Sequence, residues 1–359
     1  MTGLRRACGT LIVGLVGLAV MPVGEGRTAT AATAPVPVVF DADMDFDDAA
    51  ALAYLSQEHK KGRIELRAVT VTNNGVGLPG LAIHNARCLL SRFGLGHVPV
   101  ADGSPSAPQV APPEARLVVE LVLATVLLGC LESTQPAPVS AAQLLVDSIR
   151  SAPNDVVVIA TGPLSNLSSA LRLDAAGPPS ATTLSDHIAH TYVMGGAVHV
   201  PGNICCTTTA GFDGSQELNM WIDPPAARET FASLPERSVS LVPLDATRHV
   251  PLNAPFAERL RSDQQTPEAK LVAAIANHPV VALGSALTPA YWWDPLAAMA
   301  ATRPGVVSYE SYRIAVTQDG PGTGRTAPSS DGRWMQVGTF ADQARFEQTF
   351  IDTLKGRSP

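Results

Sequence analysis

The chain has 359 residues, of which 46% are hydrophobic and 16% are charged, and its formal net charge is −7. This hydrophobic content excludes an intrinsically disordered chain, and the length suits one large α/β domain or two smaller ones. No segment is rich in Lys and Arg, so the positive surface that a nucleic-acid-binding protein needs is missing and we expect no nucleic-acid partner.

The N-terminal segment has the pattern of a secretory signal peptide. Two arginines precede an apolar run over residues 8–23, and two Ala-x-Ala sites follow by residue 34. We predict that residues 1–34 are a signal peptide, that residues 35–359 form the mature domain, and that this domain is secreted without stable membrane insertion. The alternative is an uncleaved membrane anchor, although the run is shorter than the ~20 residues that a spanning helix needs.

Apolar runs rich in β-branched residues alternate with helical patterns along the chain. The predicted strands, in order, are PVVF, ELRAVTVT, HVPVAD, DVVVIAT, HTYVMGG and SVSLVPL. The predicted helices are DDAAALAYLSQEH, GLAIHNARCLLSRF, LSNLSSALRL and DPLAAMAA. This alternation predicts an α/β fold with a mostly parallel central sheet and helices on both faces.

Three further stretches affect the domain organisation. Proline-rich residues 103–116 and 133–143 are predicted surface loops. Between them, LVVELVLATVLLGC is too short to span a membrane and carries Glu120, so we predict a buried helix. We find no internal repeat and predict one domain after the signal peptide.

Four cysteines remain after the predicted signal peptide. Cys88 and Cys130 lie in apolar, helical surroundings, which favours buried free thiols, whereas Cys205 and Cys206 lie in a stretch rich in Gly, Thr and Asn that predicts a loop. No cysteine spacing resembles a zinc site. An exported protein can keep disulfides, so the pairing of the four cysteines stays open.

Five carboxylates directly follow the first predicted strand, namely Asp41, Asp43, Asp45, Asp47 and Asp48. In a parallel sheet, ligands bind at the carboxyl ends of the strands, and this cluster lies at that edge. Crowded carboxylates raise one another's pKa, so the cluster needs either good solvation or a bound cation. An EF-hand is excluded, because Phe46 stands where its loop requires Gly and Leu52 where it requires Glu.

A phosphatase site or a solvated acidic loop would also account for the carboxylate cluster. A haloacid-dehalogenase-type phosphatase begins with a strand and an Asp-x-Asp pair, but it needs a lysine after a later strand. None of the four lysines follows a predicted strand. In a solvated acidic loop, Asp47 and Asp48 would lie in the first turn of a helix, where carboxylates favour the helix dipole. The cluster alone does not decide between that loop and a cation site.

Eight stretches together resemble the inosine-uridine-preferring nucleoside hydrolase family. They occur in that family's order between Val38 and Ala301, and they read DADMDFDDAAAL, AVTVTNNG, HNARCLL, ATGPLSNLSSAL, YVMGGAVHVPGN, QELNMWIDPPAA, VPLDATRHVPL and WWDPLAAMAA. The resemblance implies a Rossmann-like α/β fold with an additional sheet region. It also implies hydrolysis of the N-glycosidic bond of ribonucleosides with one bound Ca²⁺.

The resemblance also implies a role for individual residues. Asp43, Asp48 and Asp294 would bind Ca²⁺ through carboxylates, and Thr161 would bind it through its backbone carbonyl, since oxygen ligands suit this cation. Asp43 would also act as the general base toward a Ca²⁺-bound water that attacks the anomeric carbon. Further residues would contact the ribose, namely Asp47, Asn74, Asn203, Glu217 and Asn219, with Met194 packing near the sugar.

The chain departs from the family pattern at several places. Asp45 stands where the family usually has Gly, and Asn73-Asn74 replaces Gly-Asn, so Asn73 is an alternative to Asn74 as the ribose contact. A His-Gly element after the third strand is replaced by proline-rich sequence. Trp293 stands just before Asp294, where the pyrimidine-preferring and nonspecific enzymes carry a histidine.

The base preference therefore stays open. We expect Trp293 to stack on the base and to favour purine ribosides, because a bicyclic base offers a larger π-face. The alternative is that Trp293 only packs against Trp292, and His199 or His249 could then supply a proton to the leaving base.

The sequence thus predicts a secreted, calcium-dependent hydrolase whose partner is a small-molecule ribonucleoside. The alternative is a catalytically inactive extracellular protein of the same fold that binds nucleosides or ribose. The subunit number is open, and a homo-oligomer is one option.

Overall fold

Nine strands form one sheet in the computed structural model, which describes residues 1–2, 34–130, 135–204, 213–262, 264–287 and 289–357. The strands, in chain order, are β1 Val36–Ala42, β2 Ile64–Val71, β3 Val100–Asp102, β4 Val156–Ala160, β5 Ile188–Met194, β6 Val239–Val242, β7 Val307–Val316, β8 Thr326–Pro328 and β9 Arg333–Ala341. Their order across the sheet is β3-β2-β1-β4-β5-β6-β9-β7-β8.

The first six strands are all parallel. From β1, the strands β2 and β3 are added on one side of the sheet, and β4, β5 and β6 are added on the other, so the order reverses between β1 and β4. In such a doubly wound sheet the ligand crevice opens where the order reverses, at the carboxyl ends of the strands. The ends of β1 and β4 therefore mark the expected site, and the predicted Rossmann-like α/β fold is confirmed.

Helices cover both faces of the sheet. They are α1 Phe46–Lys60, α2 Leu81–Arg92, α3 Pro113–Val126, α4 Ala141–Arg150, α5 Ser165–Ala175, α6 Leu218–Ile222, α7 Pro224–Ser233, α8 Leu244–Thr247, α9 Ala254–Arg261, α10 Pro267–Ala276, α11 Pro279–Leu287, α12 Trp293–Thr302 and α13 Gln343–Leu354, with a 3₁₀ turn at Leu184–His187. Successive residues of a strand point to opposite faces. Accordingly, Val38 and Phe40 join one apolar core, and Val39 joins the other.

The last three strands were not predicted. β9 pairs in parallel with β6, and β7 pairs antiparallel with both β9 and β8, which extends the sheet at one side. Many β7 residues are partly or fully exposed, and its sequence VSYESYRIAV mixes polar and apolar residues. An antiparallel edge of this kind lacks the continuous apolar run that identifies a buried parallel strand.

The stretch LVVELVLATVLLGC is helical as predicted, but its predicted burial is wrong for one face. In α3 only Val119, Val122 and Leu123 are buried. Leu117 and Leu121 are 65% and 54% exposed. The helix packs against α1, α10 and α11 with one face, and its opposite face presents apolar side chains to solvent.

The prediction of free thiols at Cys88 and Cys130 is also wrong. The two residues form a disulfide that joins α2 to the segment after α3, with their Cα atoms 5.9 Å apart. Residues 3–33 of the predicted signal peptide and the Cys205-Cys206 pair lie outside the described residues. Residues Ala34–Pro359 form one compact unit. Among the helices that the structure describes, none is both long and apolar enough to cross a membrane.

Candidate active site

A tight turn after β1 directs the carboxylates toward the carboxyl edge of the sheet. Met44, between Asp43 and Asp45, has a φ of 60°, a left-handed conformation that is uncommon for residues other than glycine. The side chain of Asp45 caps α1 by accepting from the Phe46 N–H, and the Asp45 N–H donates to Asp48 Oδ2 at 3.0 Å. Asp45 is thus a helix cap, which positions Asp47 and Asp48 in the first turn.

The loop after β2 closes over Asp43. The Val76 N–H donates to Asp43 Oδ2 at 2.6 Å. A Cβ atom at Gly75 would overlap with the Asp43 carboxylate, and one at Gly77 would overlap with the Asp43 carbonyl oxygen. We did not identify these glycines from the sequence, although the spacing in NNGVG is typical of close backbone approach.

The end of β4 contributes Thr161. Its hydroxyl donates to Asp48 Oδ1 at 2.6 Å, and its carbonyl oxygen accepts from Asn219 Nδ2 at 2.8 Å. The same amide nitrogen lies 3.3 Å from the carbonyl oxygen of Met194 at the end of β5. Three neighbouring strands, β1, β4 and β5, therefore end around one group of polar atoms.

Glu217 and Asn203 are held by backbone N–H groups. Glu217 caps α6, its Oε1 accepts from the Asn219 N–H at 3.0 Å, and its Oε2 accepts from the Gly196 N–H at 2.9 Å. Asn203 Oδ1 accepts from the Leu218 N–H at 2.9 Å. These bonds leave the two side chains in single orientations beside the carboxylates.

Asp294 is far from the other carboxylates in the sequence and lies in the first turn of α12. Its N–H donates to Asp47 Oδ2 at 3.2 Å. The two preceding residues differ sharply in environment. Trp292 is 1% exposed and packs against Phe256 and Phe350 in the core, whereas Trp293 lines a cavity next to the carboxylates. Packing of Trp293 only against Trp292 is thereby excluded.

The carboxylates are buried rather than solvated. Asp43, Asp47, Asp48 and Asp294 are at most 4% exposed. Burial, with repulsion from neighbouring carboxylates, raises the pKa of Asp47 to about 6 and that of Asp48 to about 7. It raises the pKa values of Asp43 and Asp294 well above the usual range. A solvated acidic loop is therefore the wrong interpretation of the cluster.

The donor chemistry fits a hard cation. Burial and repulsion from Asp48 raise the pKa of Asp43, and burial and repulsion from Asp47 raise the pKa of Asp294. Among the described residues, no Lys, Arg or His forms an ion pair with any of the four. As they stand, no three carboxylate, imidazole or thiol groups in the described ranges are spaced to share a metal ion. A cation would offset the repulsion among the carboxylates and draw their oxygens together.

A cavity of about 230 Å³ opens above this cluster. Nine of the residues predicted for the site line it: Asp43, Asp47, Thr161, Met194, Asn203, Glu217, Asn219, Trp293 and Asp294. Its other walls are apolar and come mainly from α1, α3 and α6, with Phe46, Ala115, Val118, Val119 and Leu218. The sequence did not identify this α3 wall.

Two predicted residues do not line the cavity. Asp48 lies behind Asp43 and Thr161, fully buried. The side-chain amide of Asn74 accepts from the Thr72 hydroxyl and donates to the Ser165 hydroxyl. The backbone carbonyl oxygen of Asn74 accepts from the Arg116 guanidinium at 3.1 Å. Asn74 therefore lies beside the cavity.

The alternative residues lie further away. Asn73 donates to the Gly103 carbonyl oxygen at 2.8 Å. His199 packs against Tyr312 and His249 against Phe340, and neither lines the cavity.

Comparison with known proteins identifies the family. The model of the family "Inosine-uridine preferring nucleoside hydrolase" matches residues 38–348. The chain belongs to this family. The match runs from β1 past α12, and it includes every residue that lines the cavity.

Individual relatives are more distant. A probable uridine nucleosidase 2 of Oryza sativa subsp. japonica is 31% identical over 42% of this chain and 41% of its own length. The pyrimidine-specific ribonucleoside hydrolase RihA of Citrobacter koseri is 29% identical over 60% of this chain and 62% of its own length. The matches to these relatives thus span less than two thirds of their lengths.

Solved structures share the fold. The crystal structure of the inosine-uridine preferring nucleoside hydrolase from Bacillus anthracis superposes with a TM-score of 0.77. It is 23% identical, and the alignment covers 89% of this chain and 99% of that one. At this identity the likeness is one of fold.

Proposed function

We propose that the protein hydrolyses the N-glycosidic bond of ribonucleosides, releasing the free base and ribose, and that it does so with one Ca²⁺ bound at the carboxylate cluster. The observation that carries the proposal is a cavity with two unlike sides. One side is a group of buried carboxylates with which no cationic side chain of the described chain forms an ion pair, and the other is apolar. A ribose with a flat base needs these two environments.

Asp43, Asp48 and Asp294 would hold the ion through carboxylates, and Thr161 through its carbonyl oxygen. When bound, Ca²⁺ supplies the positive charge that orients two ribose hydroxyls and lowers the pKa of a water molecule. Asp43 would accept the proton of that water as it attacks the anomeric carbon. The surrounding carboxylates would stabilise the oxocarbenium-like charge that develops on the sugar.

The remaining polar residues would position the ribose. Asp47, Glu217, Asn219 and Asn203 surround the cavity and are held by backbone hydrogen bonds, so they need little reorganisation to bind hydroxyl groups. Asn74 lies outside the lining. A contact from it to the substrate would require its bond to Ser165 to break.

The base would lie between Trp293 and the α3 wall. Among the described lining residues there is no His, Lys or Arg that could protonate a leaving base. We infer that stacking on the indole stabilises the departing base, which takes its proton from solvent water, and that purine ribosides are cleaved faster than uridine. The names of the two relatives specify uridine or pyrimidine substrates. The comparison of inosine with uridine therefore decides this preference.

The direct test is a reducing-sugar assay of the purified protein with inosine, adenosine, guanosine, uridine, cytidine and nicotinamide riboside. Release of ribose from at least one of them supports the proposal. The second candidate function is that of an inactive protein that binds nucleosides or ribose. Calorimetric detection of binding, with no sugar release from any substrate, would favour it. The presence of Asp43 favours the enzyme, because a binding protein does not need a general base.

We further propose that the mature protein is secreted. The Cys88–Cys130 disulfide fits an oxidising compartment, where such bonds persist. N-terminal sequencing of protein recovered outside the cell should begin at or near residue 35. Recovery of the full-length chain with the membrane fraction would contradict secretion and favour an anchor.

A further inference from the structure

A second cavity adjoins the first and has no role in the proposed hydrolysis. Its volume is about 390 Å³, larger than that of the first, and both cavities are lined by Asn203 and Trp293. A substrate in the first cavity would therefore have open space beside it, at the residues proposed to contact its ribose and its base.

The wall of the second cavity is mostly uncharged. Val200, Leu244 and Pro289 supply apolar surface, and Tyr291 packs edge-to-face on Trp293 with ring centroids 5.8 Å apart. The cavity is not a mere packing defect of the core, because it opens between the loop after β5, helix α8 and the start of α12.

Arg248 is the one charged residue among the described residues that line this second cavity. It follows α8 directly, and its backbone N–H donates to the Leu244 carbonyl oxygen at 3.2 Å, which fixes its position. Its side chain is exposed, and no hydrogen bond or ion pair to it is found within the described ranges. Thr247, next to it, is fully buried and its hydroxyl also lacks a partner there.

The two cavities thus have opposite electrostatic character. All the ionisable groups that line the first are carboxylates, whereas the charge at the second is a guanidinium. A guanidinium binds phosphate and carboxylate oxygens through paired N–H donors. The pair of cavities is therefore suited to a ligand with hydroxyls at one end and an anionic group at the other.

We propose that the second cavity is a subsite for an anionic group carried by the riboside, bound by Arg248. The proposal rests on the proposed function for the first cavity and adds to its substrates the ribosides that carry a phosphate or carboxylate substituent. The anion would be either a phosphate on the 5′-oxygen or a carboxylate on the base, since the second cavity borders both Asn203 and Trp293.

The experiment compares matched neutral and anionic substrates. We would measure kcat/KM for inosine against inosine 5′-monophosphate and for uridine against orotidine, at low and high KCl. The proteins are the parent, Arg248→Gln, Arg248→Lys and a control, Arg228→Gln. Arg228 is exposed on α7 and lines neither cavity, so its substitution makes the same change in net charge elsewhere.

We expect the parent to cleave one of the two anionic compounds at least as efficiently as its neutral partner. Arg248→Gln should lower that anionic kcat/KM about tenfold, Arg248→Lys should restore part of it, and high salt should reduce it in the parent, since the guanidinium is exposed. Rates with inosine and uridine should be unchanged in all four proteins. An effect on the phosphate pair places the anion at the 5′ end, and one on the orotidine pair places it on the base.

The proposal is overturned if both anionic compounds are poorer substrates than their neutral partners by the same factor in the parent and in Arg248→Gln. Failure of the proposed function gives a different result, namely no cleavage of inosine or uridine by the parent. In that case, calorimetric titration with the same two anionic compounds tests the subsite by itself. Equal affinities for the parent and Arg248→Gln would then reject it, and an about tenfold loss would support it.

Discussion

The carboxylate side and the α3 side of the first cavity are built in different ways. The carboxylates stand at the ends of parallel strands and in the first turns of helices, are nearly fully buried, and are held by backbone N–H groups. The α3 wall is a helix with exposed apolar residues on its outer face. It is tied to the rest of the fold by the Cys88–Cys130 disulfide and by the bond from Arg116 to the Asn74 carbonyl oxygen.

This difference suggests that the two sides of the cavity have different functions. Groups that must keep a fixed geometry for bond cleavage lie at the centre of the sheet, where backbone N–H groups hold several of them. Groups that contact the variable part of a substrate lie on a peripheral helix, where substitutions disturb less of the core. We therefore expect changes on the carboxylate side to affect kcat strongly and changes on the α3 side to affect mainly KM.

The largest effect should follow removal of calcium. Exhaustive chelation should abolish sugar release, and added Ca²⁺ should restore it, because no Lys, Arg or His of the described residues forms an ion pair with the buried carboxylates. Metal analysis of the active protein should find one Ca²⁺ per chain. Full turnover by metal-free protein would show that the carboxylates act without a cation.

The same cluster predicts a pH-dependent stability. Folding raises the pKa of Asp47 from 3.8 to about 6 and that of Asp48 from 3.8 to about 7. The folded chain without calcium therefore binds more protons than the unfolded chain, and its stability should fall as the pH rises from about 4 to about 7. Ca²⁺ binds the ionised form, so it should raise Tm more at pH 7.5 than at pH 5. An equal Tm increase at both pH values would argue against binding at these groups.

Asp43→Asn should have the next largest effect, because it removes both a ligand charge and the proposed base. We expect kcat to fall by at least about 10²- to 10⁴-fold, as for loss of a general base. Asp331→Asn, an exposed position far along the chain, is the matched control and should leave kcat unchanged. A less than tenfold effect of Asp43→Asn would mean that another group accepts the proton.

Trp293→Ala should lower kcat/KM more for a purine riboside than for a pyrimidine riboside. Base stacking on an aromatic side chain contributes about 1–3 kcal/mol, so kcat/KM for inosine should fall about tenfold or more and that for uridine should fall less. Trp334→Ala, on β9, controls for loss of an indole elsewhere. The stacking proposal is wrong if the parent prefers uridine or if both values fall by the same factor.

The smallest effect should come from the α3 side. Cys130→Ser breaks the disulfide at its half-buried end and should raise KM about threefold with kcat nearly unchanged, because the helix that supplies Val118 and Val119 loses a covalent tether. A reductant should change KM of the parent in the same direction and leave that of the variant unaltered. A lower Tm without any change in KM would show that the bond only stabilises the fold.

Much of the molecule follows from local sequence pattern. The alternation of β-branched runs and helical segments predicts the parallel sheet from β1 to β6, because the side-chain periods of strands and helices are properties of a few consecutive residues. The position of the Asp cluster after the first strand places it at the ligand edge for the same reason. The ordered motifs then identify nine of the residues that line the cavity, although not its α3 wall.

The tertiary structure decided what depends on residues far apart in the chain. Whether the carboxylates are solvated depends on the glycine loop after β2 and on α12, which cover them from either side. Which of Trp292 and Trp293 faces the cavity depends on packing against Phe256 and Phe350. The Cys88–Cys130 bond and the exposed face of α3 depend on how two helices meet at the edge of the fold. Burial and pairing are properties of contacts, and a linear pattern carries only the tendency of each residue to make them.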